Sequence, residues 1–302
     1  MTDRSTLEGF LVLPRARIRY RVLGRGEPIV LLNGGPTLPF DYFLPWVEPL
    51  AERHRLVLFD PAGAGASTDA ADGRYDLDAL VEEVGEVARS LDLGSFHLLG
   101  HSAGGFLAQE FALHHPEAVR SLLLLDTFGS TPVANRRLRE MLASAPPGAR
   151  ETIRRMEYDG SFHAGEGYDP EYRGAVEQAY APVSFVDPAR APPELSGILS
   201  AIRYPVYRRI WGERGEFVLD GSYSGWDPGP ARNRACYPVL VISGRADMPS
   251  PEDTVALAAS YPRGEAVIFG RSGHYPFIEE NRAFLHTVSA FLERAEHGRA
   301  PG

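Results

Sequence analysis

The chain has 302 residues, 44% hydrophobic and 24% charged, a size and balance suited to one soluble core with a sizeable insertion. Its formal net charge of −9 argues against an electrostatic footprint for nucleic acid, and no apolar run approaches the length of a membrane span. All 31 basic residues are arginine and Cys236 is the only cysteine, which excludes Schiff-base or phosphate-loop lysines, a disulfide framework and a cysteine-cluster metal site.

Met1 to Leu7 carries charges but no apolar leader segment, so a cytoplasmic protein is expected. Phe10–Leu13 and Ile18–Val22 flank Pro14-Arg15-Ala16 and predict an antiparallel hairpin at a sheet edge. Ile29–Leu32 is continuously apolar, as a strand covered on both faces would be, and empties into Asn33-Gly34-Gly35-Pro36. Leu56–Phe59 predicts a second buried strand, followed by Asp60-Pro61-Ala62-Gly63-Ala64-Gly65-Ala66-Ser67. Leu77, Leu80, Val81, Val84, Val87, Ala88 and Leu91 keep a helical period, with Asp76 placed to cap and Gly94 to terminate.

Ser95–Leu99 then predicts a short buried strand, and Phe106, Leu107, Glu110, Phe111 and Leu113 a helix that Pro116 stops. Between them lies Gly100-His101-Ser102-Ala103-Gly104, a G-x-S-x-G pentad in the strand–turn–helix context of a nucleophile elbow. Small neighbours permit the sharp turn that lifts the Ser102 hydroxyl to the N-terminus of a helix, where amides meet developing negative charge. Val119–Leu125 is the next strand, ending at Asp126. Strand and helix alternate, which predicts a mostly parallel, doubly wound α/β sheet.

From about Ser130 to Arg234 the alternation breaks down into short helical patterns rich in Arg, Glu, Pro and aromatics, read as a mainly helical cap over 131–234 on a core of 1–130 and 235–302. Cys236 precedes Tyr237-Pro238 and an apolar run, which predicts a buried structural thiol. The sheet resumes with Val239–Ile242 and the loop through Asp247, then a helix near Glu252–Ser260, the strand Ala266–Phe269, the loop Arg271–His274 and a closing amphipathic helix.

A serine hydroxyl needs a base, and the base a third group that fixes its tautomer. Asp247 and His274 follow the last two strands, on the same sheet edge as Ser102, and are assigned as acid and base; Asp126 competes for the acid role because it too ends a buried strand. His101 is expected to pack inside the elbow and take no proton. The oxyanion donors expected are the amides of Ala103 and, from the glycine loop, Gly35.

These motifs resemble the proline iminopeptidase family of α/β-hydrolases. Asn33-Gly34-Gly35-Pro36 is similar to that family's H-G-G-P-G, Asp60 to Ser67 to its D-Q-x-G-x-G-x-S, and Ser272-Gly273-His274 to its histidine motif; Val206-Tyr207-Arg208, Glu216-Phe217 and Gly225-Trp226-Asp227 fall in the order of its cap. The resemblance implies an α/β-hydrolase fold with a Ser-His-Asp triad, an acyl-enzyme intermediate, no cofactor or metal, and a short peptide or small molecule as substrate. It places Gly34, Glu216, Met248 and Trp226 around the substrate, with Glu216 as one acidic partner of a substrate amine. Three positions depart from the family: Met248 follows Asp247 where a carboxylate would stand, Ala103 replaces a large aromatic, and Asn33 replaces His. An esterase, lactonase or amidase acting on a small hydrophobic molecule therefore competes with the aminopeptidase reading, as does a non-catalytic ligand-binding hydrolase fold. Glu216 is open between amine binding and a solvated carboxylate, and the oligomeric state is not legible.

Overall fold

The computed structural model describes residues 6–297, so the start of the charged stretch Met1–Leu7 lies outside the described residues. β1 (Thr6–Val12) and β2 (Arg17–Leu23) form the expected antiparallel hairpin. β3 (Pro28–Leu32), β4 (Arg55–Phe59), β5 (Phe96–His101) and β6 (Val119–Leu125) follow, then a two-stranded ribbon of β7 (His163–Ala164) and β8 (Gly167–Tyr168), and finally β9 (Val239–Gly244) and β10 (Gly264–Phe269). The main sheet runs β1-β2-β4-β3-β5-β6-β9-β10, antiparallel through β4 and parallel thereafter.

The continuous apolar runs have a direct cause. Val30 and Leu32 enter one core with Val57, Phe59 and Leu98, while Ile29 and Leu31 enter the core on the opposite face with Leu56, Leu58 and Leu99. Both sheet faces are covered, so successive residues of one strand must all be apolar. The first face packs α1 (Leu77–Ser90), whose N-terminus Asp76 caps by accepting from the Ala79 amide at 3.1 Å, and α2 (Ala103–His114).

Between β6 and β9 lie α3 (Thr131–Ser144), α4 (Pro147–Asp159), α5 (Pro170–Ser184), α6 (Pro193–Leu199) and α7 (Tyr204–Trp211). Three of these run 13–15 residues, longer than the short helices expected from the sequence. The reason is a thin apolar stripe: α4 buries only Ala149, Ile153 and Met156. This insertion has its own core of Leu138, Ile153, Phe162, Tyr172, Tyr207 and Phe217. α8 (Pro251–Ala259), α9 (Pro276–Glu279) and α10 (Asn281–His297) complete the fold, α10 burying Phe284, Val288, Phe291 and Leu292. No helix among the described residues is long and apolar enough to cross a membrane.

Cys236 corrects its expectation. The thiol is exposed, because Tyr237 takes the inward position ahead of β9 and leaves Cys236 outside.

Candidate active site

The turn from β5 into α2 holds Ser102 at φ 53° and ψ −121°, a left-handed backbone that a non-glycine residue adopts at a cost of about 1–3 kcal/mol. Surrounding bonds impose it: the Ser102 amide donates to the Leu125 carbonyl at 2.9 Å, and the Ser102 carbonyl accepts from Thr127 Oγ1 at 2.7 Å and from the Gly105 amide at 2.9 Å. Ser102 is half-buried and directly precedes the first residue of α2, at the positive end of the helix dipole.

Asp247 lies beyond β9 and His274 beyond β10, strands that are parallel neighbours, so both residues emerge at one sheet edge. His274 Nδ1 and Asp247 Oδ1 are 2.7 Å apart, and the same oxygen accepts from the Met248 amide at 2.6 Å. An ionised Asp247 requires the proton on Nδ1 and leaves Nε2 as the basic nitrogen. Asp126, the competing acid, is buried behind this pair and, among the described residues, makes no hydrogen bond to the His274 ring; Asp247 is the carboxylate in contact with the histidine. Acceptor atoms of Asp126, Asp247 and His274 lie within 4.8 Å of one another, a geometry able to hold a metal ion, but the Nδ1 and Oδ1 atoms are engaged with each other.

His101 packs inside the elbow as expected. It is buried, with ring centroid 4.8 Å from that of His274, and burial depresses its pKa well below the ordinary histidine value. Its Nε2 lies 3.1 Å from the His274 carbonyl, so it ties the serine turn to the histidine loop.

The glycine loop after β3 abuts the serine: a Cβ on Gly34 would fall 2.8 Å from the Ser102 Cβ. The Gly34 amide is spent on the Tyr42 hydroxyl at 2.8 Å. Among the described residues, the Gly35 and Ala103 amides donate to no protein acceptor, which leaves both available to an oxyanion. Asn33 is buried and its amide nitrogen donates to the Leu38 carbonyl, shaping the same loop.

The remaining substrate candidates separate. Met248 is half-buried beside Asp247, its carbonyl held by Arg137 Nε at 3.0 Å. Trp226 is committed to α2: its indole donates to Glu110 Oε2 at 2.7 Å and packs 4.9 Å from the Phe106 ring. Glu216 is not a solvated carboxylate. It is buried, and its oxygens accept from Tyr168 and Tyr180 at 3.0 Å and from Tyr207 at 2.8 and 2.9 Å. Burial outweighs those donors and pushes its carboxyl up to about 7.

Sequence reasoning missed Tyr42 and Glu279. Buried Glu279 accepts from the Gly273 amide through Oε2 at 2.7 Å, and through Oε1 from the Val186 amide at 2.9 Å and the Asp187 amide at 3.4 Å. The His274 amide donates to the carbonyls of Val183 and Ser184 at 2.9 and 3.0 Å, and Phe185 stacks on Tyr275 at 4.9 Å. The end of α5 is thus part of the histidine's support. In the sequence, Glu279 and Glu280 look like ordinary acidic residues ahead of a helix, and only the tertiary fold shows otherwise.

A strained serine at a helix N-terminus, a histidine whose Nδ1 faces a buried carboxylate, and two uncommitted amides form a constellation suited to acyl transfer. The chain belongs to the alpha/beta hydrolase fold family, which matches residues 27–281. It is 29% identical over 294 residues to a proline iminopeptidase of Heyndrickxia coagulans, covering 94% of this chain and 98% of that one. Among solved structures it is similar to VinJ (TM-score 0.86, 24% identity, 96% of this chain and 99% of that one) and to a proline iminopeptidase of Mycobacterium smegmatis (TM-score 0.82, 22% identity, 97% and 99%). The chain is a hydrolase that resembles proline iminopeptidase over nearly its whole length.

Proposed function

We propose that the protein is a cofactor-independent serine hydrolase working through an acyl-enzyme. Ser102 Oγ attacks a carbonyl carbon while His274 Nε2 takes its proton, and the amides of Ala103 and Gly35 hold the oxyanion. His274 then protonates the leaving group, water attacks the acyl-enzyme with the imidazole as base, and Ser102 is regenerated. The observation that carries this reading is the 2.7 Å His274–Asp247 contact at the sheet edge shared with the Ser102 turn. A fluorophosphonate probe should label the protein at Ser102 and leave Ser102→Ala unmodified; equal labelling of both would reject the assignment.

For the substrate, the similarity to proline iminopeptidases supports release of an N-terminal residue, typically proline, from a small peptide or amide, with Glu216 as the amine partner. A second reading, hydrolysis of a small hydrophobic ester, lactone or amide, is favoured by two observations: the Glu216 oxygens already accept from three phenols, and Met248 supplies no second carboxylate. A prolyl arylamide and short p-nitrophenyl esters separate the two. Cleavage of the arylamide that is abolished by acylating its amine supports the peptidase; turnover of esters alone rejects it. The separate core of the insertion supports its division from 1–130 and 235–302 as a cap over 131–234, and a cytoplasmic setting is part of the same proposal.

A further inference from the structure

Asp126 sits directly behind the proposed triad with no role in it. It directly follows β6 at φ 51°, in the same left-handed region as Ser102 at φ 53°. Its amide donates to the Ile242 carbonyl at 2.8 Å and its Oδ1 accepts from the Gly244 amide at 3.1 Å, so the side chain is held against β9. The other oxygen, Oδ2, is buried without a hydrogen-bond partner among the described residues, and so is Oδ2 of Asp247. Two neighbouring buried carboxyls with one orphaned oxygen each are short of one hydrogen.

The surroundings offer nothing else to neutralise a second charge. Asp247 and Glu279 are the acidic neighbours, His101 and His274 the imidazoles, and Tyr42 and Tyr275 the phenols; no guanidinium pairs with Asp126 among the described residues. His101, 4.0 Å away, is itself held neutral by burial. Which member of the pair keeps the proton follows from the donors already in place. Asp247 Oδ1 faces the His274 ring N–H and the Met248 amide, both of which stabilise its charge, whereas Asp126 accepts one amide only.

We propose that Asp126 is a positioning residue: a neutral carboxylic acid that donates its proton in a hydrogen bond to Asp247, fixing that carboxylate and confining the charge that orients His274 to one side chain. Burial and the nearby Asp247 push the Asp126 carboxyl well up, in agreement with this assignment. The proton stays on Asp126 through turnover; no bond to it breaks. The inference rests on the reading of Asp247 as the partner of His274.

Infrared difference spectra at pH 7 between the wild type and Asp126→Asn test it without recourse to activity. The wild type should show the carbonyl stretch of a protonated buried acid that the variant lacks; spectra that superimpose would overturn the proposal. Other buried carboxyls, Glu83 and Glu216 among them, are present in both proteins and cancel. The pH profile gives a second readout. Asp126→Asn exchanges one neutral donor for another, so kcat falls by less than about tenfold while the acid limb of kcat/KM stays in place. A limb displaced by about one unit to lower pH would mean that an anion had been removed, and would also overturn the proposal. Asp126→Gly removes the donor and suits the positive φ, so kcat should fall by about tenfold or more with KM little changed; an unchanged kcat rejects the positioning role. Failure of fluorophosphonate labelling at Ser102 beside an intact infrared signature would reject the catalytic reading alone.

Discussion

The Tyr42 hydroxyl lies 2.8 Å from His101 Nδ1 while it accepts the Gly34 amide at the same distance. Because that oxygen receives the amide hydrogen, its own proton is free to go to Nδ1, which makes His101 the tautomer with hydrogen on Nε2, directed at the His274 carbonyl. One phenol therefore links the glycine loop, the serine turn and the histidine loop.

Tyr42→Phe should leave the buried Gly34 amide and His101 Nδ1 unpaired, at a cost of about 1–3 kcal/mol in urea unfolding. Because the loop carrying Gly35 loses an anchor, kcat should also fall, by up to about 10²-fold. Unchanged unfolding would show that the phenol bonds contribute nothing.

Asp247→Asn should lower kcat by on the order of 10³-fold with a small change in KM, because the amide stabilises the wrong tautomer of His274. Steady-state kinetics on whichever substrate the screen identifies would check this, alongside retained thermal stability.

Glu216 gives stability a pH dependence of known sign. Burial pushes its carboxyl up to about 7 from 4.5 ordinarily, so the fold prefers the neutral acid. That stabilisation is complete below about pH 4.5 and is lost as pH rises through about 7, an effect of at most about 3 kcal/mol. Buried Glu83, pushed up to about 7 chiefly by desolvation, acts in the same direction. Melting temperature should fall between pH 5 and pH 8, and Glu216→Gln should flatten part of that slope.

Gly273→Ala tests the seat of the histidine loop. A Cβ there would collide with the Val183 carbonyl and lie 2.7 Å from the Ser184 carbonyl, so the loop or the end of α5 must shift. We expect kcat to fall at least about tenfold. Glu279→Ala, which strips the acceptor from the Gly273, Val186 and Asp187 amides, should lower both kcat and stability, the latter by about 2–3 kcal/mol in chemical unfolding.

Much of this was legible in the sequence, for reasons that are local. Ile29–Leu32 and Val239–Ile242 announce doubly covered strands, and the elbow motif lies between a strand and a helix as it must. The loops bearing Asp247 and His274 follow predictable strands, so their shared edge could be inferred. Glu279 meets Val186 across 93 residues and Tyr42 meets His101 across 59, separations at which no periodicity operates. Trp226 shows the converse: a family-like position whose indole this chain spends on Glu110. Glu216 stays open in the sequence because the tyrosines around it come from three separate elements, β8, α5 and α7.

The pairing of the α5 end with the histidine loop also bears on how substrate reaches Ser102. Lifting segment 183–187 away from the sheet would pull at the His274 amide and at Gly273 together, disarming the base in the same movement. Traffic to the serine must then pass by a route that leaves this segment seated. Hydrogen exchange can register the constraint: the amides of His274 and Val186 should open as one unit, with a common rate under substrate-free conditions.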